Sequence, residues 1–159
     1  MKKKDNMEKK NSSQYTTNKV ANLPRGIRNN NPINIRIGNN WLGEKVPNTD
    51  GTFEQFVSMP YGIRAALKII YNYMTKYNLK TIAKIISRWA PRNENNTARY
   101  IKYVSERMDT DPNEELYFTY TEMRNLVLAM AKIECGYEIA TEAFREGWDL
   151  YESPYIPPQ

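Results

Sequence analysis

The sequence predicts an α+β fold that is mostly helical, with a small β-hairpin or sheet near its N-terminal end. From Met59 onward, apolar residues recur at spacings of three and four, which is typical of amphipathic helices. Before that point, short apolar runs alternate with Asn, Gly and Pro, which is typical of short strands and turns. With 159 residues, the chain is long enough for one domain with a sizeable core.

The composition divides the chain into three parts. Residues 1–22 are polar and lack periodicity, so they predict a flexible basic arm. Residues 23–152 hold the predicted domain. Residues 153–159 are rich in proline and predict an extended tail.

Strands are expected only in the first part of the domain. Residues 34–37 are strand-like, and a turn over 38–40 follows them. Residues 52–57 alternate at period two, which would place Thr52, Glu54 and Phe56 on one face. A hairpin or three-stranded sheet follows from this pattern.

About five helices are expected in the remainder. The first begins near Met59, and the second spans about 79–89 and stops before a proline. Asn96 can cap a third helix, because its side chain can accept from the first free backbone N–H groups. The fourth runs over about 121–136 and the fifth over 139–151.

The residue types exclude several kinds of chemistry. The chain has no histidine, which removes Ser-His and Cys-His triads and histidine-based zinc sites. A single cysteine, Cys135, can form neither an internal disulfide nor a metal site alone. Catalysis would therefore depend on carboxylates, helped by Tyr, Lys or amide groups, and we expect no cofactor and no metal.

The charge distribution bears on the partner. The formal net charge is +5, but five of the basic residues are the lysines at 2, 3, 4, 9 and 10 in the predicted arm, so the body is nearly balanced. Nucleic-acid binding through the arm is possible but not demanded, and anionic cell-wall polymers fit equally well. No apolar run approaches the roughly 20 residues of a membrane span. The N-terminal residues also lack the apolar core of a secretory signal.

An asparagine-rich segment, RGIRNNNPINIR over residues 25–36, is the first candidate binding element. Asn tolerates left-handed backbone, and Pro32 fixes φ, so the segment predicts a rigid polar corner. Amide groups suit a ligand rich in hydroxyls and N-acetyl groups, because each amide offers donors and acceptors. An ordinary Asn-rich turn before a strand is the alternative.

Glu134 is the candidate catalytic acid. It follows Met130 by four residues and Ala131 by three, so it continues the apolar stripe of the fourth helix. Burial would raise its pKa, as a general acid requires. The alternative is a helix-end glutamate that reaches solvent or pairs with Arg99 or Arg124.

Four other side chains are candidates for contact with a ligand. Glu94 lies in a loop between helices and could be a second carboxylate or a helix cap. Trp41 and Tyr61, together with Trp89, could stack on sugar rings, although aromatic residues in such positions are often part of the core.

Several motifs together resemble a family of phage-encoded lysozyme-like virion proteins. They are the RGIRNNNPxNIR segment, Trp41-x-Gly43, Phe53-x-x-Phe56, PYGIRA over 60–65, and WAP over 89–91 followed by ENxTxxY over 94–100. The resemblance covers roughly residues 24–137. More widely, the chain is similar to peptidoglycan glucosaminidases and lytic transglycosylases of the lysozyme superfamily.

Those enzymes carry the catalytic Glu on a helix before the Asn-rich turn, and no acidic helix is expected there in this chain. Ile133-Glu-Cys-Gly136 resembles the E-x-G that ends their catalytic helix. We therefore expect a circular permutation that places Glu134 beside residues 30–34. Two departures from the pattern are Ile33, where glycine is expected, and Cys135, where a small or polar residue is usual.

The resemblance implies cleavage of peptidoglycan glycan strands. Glu134 would protonate the glycosidic oxygen. Asn30, Asn31 and Asn34 would shape the turn and bind N-acetyl groups, and Tyr61 would orient the substrate or stabilise the oxocarbenium-like state. It leaves open hydrolysis or transglycosylation. It implies a phage virion component, or a protein held in the host cytoplasm before release, that acts in the cell wall and can contact other virion proteins. The alternative is a silent virion structural or wall-binding protein.

Overall fold

Residues 22–153 are described in the computed structural model and contain six helices. These are α1 (Arg25–Arg28), α2 (Met59–Lys76), α3 (Ile82–Trp89), α4 (Thr97–Met108), α5 (Tyr120–Cys135) and α6 (Thr141–Glu152). The prediction of a mostly helical chain is confirmed. The predicted arm over 1–22 and tail over 153–159 lie outside the described residues, except for residues 22 and 153.

The strands expected over 34–37 and 52–57 do not form. Residues 22–153 contain only isolated antiparallel bridges, which pair Arg36 with Phe53, Glu44 with Phe56, and Thr81 with Glu115. Side chains take over bonds that a strand ladder would make: the Asn31 amide donates to the carbonyl oxygens of Ile35 and Glu54 at 2.9 and 3.0 Å. A side chain inserted between the segments in this way satisfies the backbone but prevents continuous pairing.

The expected alternation over 52–57 is also wrong, because the three consecutive residues Glu54, Gln55 and Phe56 are all buried. Backbone hydrogen bonds join the segment to the asparagine corner (residues 25–36) along one edge and to residues 43–45 along the other. The segment is therefore held between two neighbours and is not an edge strand.

Side-chain caps set several helix starts. The Thr81 hydroxyl accepts from the backbone N–H of Lys84, so α3 begins at Ile82, three residues later than expected. Asn96 caps α4 as predicted, by accepting from the N–H of Arg99. The sequence did not predict α1, because a helix of one turn is too short to show helical periodicity. None of the helices over 22–153 has the length and apolar character needed to cross a bilayer.

The core lies between α2, α5 and the helices that flank them. α6 packs along α2, while α5 packs against α4 and also touches α1 and α2. From Leu126 to Ala131 every residue of α5 is buried, which identifies α5 as the central helix. This position brings the C-terminal end of α5, with Glu134, to the asparagine corner.

Gly62 joins the N-terminal loop region to the helical body. It lies in the first turns of α2, where a Cβ atom would come within 1.9 Å of the Asn30 carbonyl oxygen and 2.8 Å of Pro32 Cδ. Only glycine allows the two backbones to approach this closely. The corner is therefore packed directly on the backbone of α2.

Candidate functional site

Two asparagines give the corner its shape. Asn30 and Asn34 adopt left-handed backbone conformations, with φ of 52° and 55°. Asn is one of the few residues other than glycine that tolerate this region. Ile33, where the resemblance led us to expect glycine, does not have a positive φ and is completely buried in the core. The turn therefore has no need of a glycine at this position.

The three asparagines predicted to bind substrate have different roles in the structure. The Asn31 side chain is fully buried; it bonds to two carbonyl oxygens and accepts from the N–H of Ile35 at 2.9 Å. The Asn30 amide donates to the Phe56 carbonyl oxygen at 3.0 Å. Both side chains thus hold the loop region together, and neither lines the cleft described below. Of the three, only Asn34 is in the cleft.

Glu134 lies in the last turn of α5, beside Asn34. The Asn34 amide donates to the Glu134 backbone carbonyl at 3.1 Å and approaches carboxyl Oε2 at 3.5 Å. Carboxyl Oε1 accepts from Trp89 Nε1 at 3.1 Å and from the Tyr100 hydroxyl at 3.2 Å. The expected proximity of residue 134 to the corner is present, and the carboxyl is held by groups from α3, α4 and the corner.

Burial and hydrogen bonding act on this carboxyl in opposite directions. Loss of water around the group raises the pKa of Glu134, and this is the larger effect. The bonds from Trp89, Tyr100 and Asn34 stabilise the charged form and partly offset the rise. The net result is a pKa above the usual range of a glutamate.

A cleft of about 980 Å³ opens beside Glu134. Of the residues predicted to bind substrate, it contains Asn34, Trp41 and Glu94. The other side chains along it are apolar, aromatic, amide or basic: Ile33, Ile35, Arg36, Asn39, Phe53, Ile69, Tyr73, Arg88, Trp89, Ala90, Pro91 and Asn95. Its wall therefore combines ring faces with hydrogen-bonding groups, the usual chemistry of a carbohydrate or mixed-polarity ligand site.

The aromatic wall also contains a bonding group that lacks a protein partner. The Trp41 indole N–H is buried and makes no hydrogen bond within residues 22–153. A buried indole N–H normally finds an acceptor. The indole nitrogen has almost no accessible surface, so it is enclosed by protein although the Trp41 side chain lines the cleft.

Tyr61 is not in this cleft, contrary to its predicted role. Its ring packs against the backbone of Gly43, and it borders a separate cavity between the start of α2 and the end of α6. Tyr61 lies in the first turn of α2, and its side chain is turned toward the loop over residues 41–43. It therefore supports the wall that carries Trp41 without contacting the space beside Glu134.

Sequence reasoning missed the hydrogen bonds of Trp89 and Tyr100. The sequence indicates a stacking role for Trp89 and includes Tyr100 only as the last residue of the motif over 94–100. Both have a polar group at the end of an apolar ring, and such groups seek a partner when buried. That rule, applied together with the predicted burial of Glu134, could have identified the Glu134 carboxyl as the partner of Trp89 and Tyr100.

Cys135 lies behind the carboxyl. Its thiol donates to the Pro32 carbonyl oxygen at 3.2 Å, and burial raises its pKa to about 12, so it remains protonated. A Cβ atom on Gly26 would lie 2.2 Å from this sulfur. The departure from the family pattern at residue 135 is thus accommodated by the absence of a side chain at residue 26.

Comparison with known proteins gives one informative similarity. No protein-family model matches the chain. Over 101 residues it is 44% identical to Protein P5 of Pseudoalteromonas phage PM2. The match covers 61% of this chain and 63% of that protein, so the chain spans less than two thirds of the relative's length. The chain is therefore similar to a phage protein.

Proposed function

We propose that this protein cleaves the glycan strands of bacterial peptidoglycan, with Glu134 as the general acid and with a lysozyme-like site. The observation that carries the proposal is a desolvated carboxyl with a raised pKa at the wall of a large cleft. A perturbed acid in a cleft is a candidate for catalysis on physical grounds. Its location beside the asparagine corner agrees with the motif resemblance.

The two carboxyl oxygens of Glu134 have different surroundings, which suggests which one transfers the proton. Oε1 accepts from both Trp89 and Tyr100, whereas Oε2 has only the long contact from Asn34. Oε2 is therefore the oxygen that would carry the proton to the glycosidic oxygen. The carboxylate that remains would be stabilised by donors already in place, which lowers the barrier without reorganisation.

The cleft walls support an amino-sugar polymer as substrate. Aromatic faces such as Trp41 and Trp89 can stack on sugar rings. The Asn34 amide would bind the sugar next to the cleaved bond. Arg36 and Arg88 would face the carboxylates of the peptide stems, which distinguish peptidoglycan from neutral glycans.

The similarity to a phage protein supports a place in the phage life cycle. A wall-cleaving protein would serve either during entry, as a component of the virion, or during lysis. The proposed site of action is the bacterial cell wall, and other virion proteins are the proposed partners.

A catalytically silent virion or wall-binding protein is the second candidate. One observation favours it: all three donors around Glu134 stabilise the ionised carboxyl, which is the form that cannot donate a proton. Under this alternative, Glu134 would be a structural link between α3, α4 and the corner.

Digestion of purified peptidoglycan tests the proposal. Native protein and the Glu134→Gln variant would be incubated with Gram-negative and Gram-positive sacculi, and the soluble products identified by mass spectrometry. Gln keeps the acceptor for Trp89 and Tyr100 but has no proton of suitable acidity. We expect muropeptides from the native protein only, at a rate at least about 100-fold above the variant.

The products and a matched variant refine the result. Anhydro ends would identify a transglycosylase, and reducing ends a hydrolase. Glu94→Gln is the control, because Glu94 is the other acid in the cleft. Cleavage lost in Glu94→Gln but kept in Glu134→Gln would move the acid to residue 94. Wall binding without cleavage by folded native protein would support the silent alternative.

A further inference from the structure

A second pair of acidic residues lies outside the Glu134 cleft. Glu44 pairs with Phe56 in an isolated antiparallel bridge, and Glu54 is two residues from Phe56. Residues two apart on an extended segment share a face, so Glu44 and Glu54 are diagonal neighbours across the pair. Both side chains border the same small cavity.

The backbone prevents the two carboxyl groups from separating. The Glu54 N–H donates to the Ile35 carbonyl at 2.9 Å, and the N–H of Lys45 donates to the Gln55 carbonyl at 2.7 Å. These bonds fix both segments on either side of the acids. Like charges held this closely repel unless something neutralises them.

Glu54 is the more constrained of the two. Its side chain is 2% exposed, and its Oε1 atom is buried with no hydrogen-bond partner in residues 22–153. A buried carboxylate oxygen that faces another carboxylate requires a proton or a cation between them. Burial and the neighbouring Glu44 carboxyl raise the pKa of Glu54 to about 7.

The surroundings favour a cation with oxygen ligands. A cavity of about 330 Å³ adjoins the pair, and Gly38, Asn39, Asn40, Glu44, Lys45 and Glu54 border it. No ion pair joins Lys45 to either carboxylate. Over residues 22–153, no three acidic, cysteine or histidine side chains lie together, so the two carboxylates have no third charged ligand beside them. Further ligands to a cation would therefore be neutral oxygens such as those of amides. Asn39 and Asn40 supply exposed amide oxygens at this point.

We propose that the cavity beside Glu44 and Glu54 is a calcium site in which the two carboxylates bind the ion and the amide oxygens of Asn39 and Asn40 complete part of its shell. Calcium accepts many oxygen ligands in irregular geometry, whereas magnesium demands a regular octahedron and keeps its water. The bound ion would fix residues 38–45 against residues 53–56. It would also stabilise the loop that carries Trp41, whatever reaction the cleft performs.

Calcium titration of the full chain tests the site directly. Thermal unfolding would be followed at about pH 8, well above the usual pKa of glutamate, with calcium, magnesium or chelator. At ten times the dissociation constant of a single site, we expect calcium to raise Tm by about 3–6 °C and magnesium to raise it less. Calorimetric titration with calcium chloride would show one saturable site.

Two variants make the test specific. Glu54→Gln removes the buried charge, and Glu44→Gln removes the more exposed one. If one variant fails to fold, the other can still be titrated with calcium. Both should lose the calcium response, while Glu94→Gln should keep it. The proposal is overturned if native protein shows neither heat nor a Tm shift at about 10 mM calcium, ten times the weakest affinity of known calcium modules. It is equally overturned if both variants respond like native protein, or if magnesium acts as strongly as calcium.

Discussion

The loop region over residues 22–58 and the helical body over 59–153 are stabilised in different ways. Buried polar side chains are concentrated in the loop region, where Asn29, Asn31, Glu54 and Gln55 are all buried. The core of the body consists of aliphatic and aromatic side chains. Hydrogen bonds are directional and apolar packing is not, so the loop region depends on the identity of particular atoms and the body on volume.

The largest expected effect is at the contact between the two regions. Gly62→Ala would place a methyl group 1.9 Å from the Asn30 carbonyl oxygen, and backbone cannot move aside as a flexible side chain can. We expect a loss of about 3 kcal/mol in the free energy of unfolding, despite the better helix propensity of Ala. Urea unfolding followed by tryptophan fluorescence measures it.

Gly38→Ala is the matched control, because nothing lies within 4 Å of a Cβ atom at that position. Its unfolding free energy should change by no more than about 0.5 kcal/mol. Equal stability of the two variants would show that the corner does not pack on α2 as described.

A smaller loss is expected inside the loop region. Asn31→Ala removes the bonds to the Ile35 N–H and to two carbonyl oxygens, which leaves buried polar groups without partners. We expect a loss of about 2–3 kcal/mol. Asn113→Ala, at an exposed position, should be nearly neutral in the same urea titration. If Asn31→Ala were equally neutral, the loop region would not depend on its amide bonds.

The smallest effect on stability is expected at the carboxyl that both regions enclose. Tyr100→Phe removes one bond to Glu134 and should cost about 1 kcal/mol. Because that bond lowers the pKa of Glu134, its loss should raise the pKa further. The acid would then stay protonated to higher pH, and the alkaline limb of any peptidoglycan-cleaving activity should move upward.

A pH–rate profile of native protein and Tyr100→Phe checks this prediction, with Tyr103→Phe as a control because Tyr103 bonds to Arg107 instead. An alkaline limb that stays in place, or moves to lower pH, would show that Glu134 is not the group that must remain protonated.

The helical body could be predicted from the sequence to a greater extent than the loop region. Periodicity gave the five long helices, because one apolar stripe is repeated over several turns in each, and Asn96 was correctly predicted as a cap. The strand predicted over residues 52–57 is wrong, because alternation of polar and apolar residues predicts a strand only when one of its faces is exposed. Here the Asn31 side chain occupies the place of a neighbouring strand, and no local pattern reports a bond across more than twenty residues.

The candidate site, like the fold, could be predicted only in part from the sequence. The apolar stripe of α5 and the E-x-G motif both selected Glu134, and Asn34 is beside it. The resemblance assigns Tyr61 and the amides of Asn30 and Asn31 to ligand binding. In the structure these side chains do not line the cleft, because residue spacing in a sequence does not encode the direction in which a side chain points. Trp89 and Tyr100 reach the carboxyl from α3 and α4, and sequence alone did not show that these helix ends meet.

The separation of Asn34 and Glu134 by 100 positions in the chain has a consequence for synthesis. The corner is translated early, whereas the carboxyl that completes the site is translated after most of the domain. A chain that ends before α5 therefore contains the asparagines and Trp41 but not Glu134. The candidate site is complete only after α5 has been synthesised and has docked against the corner.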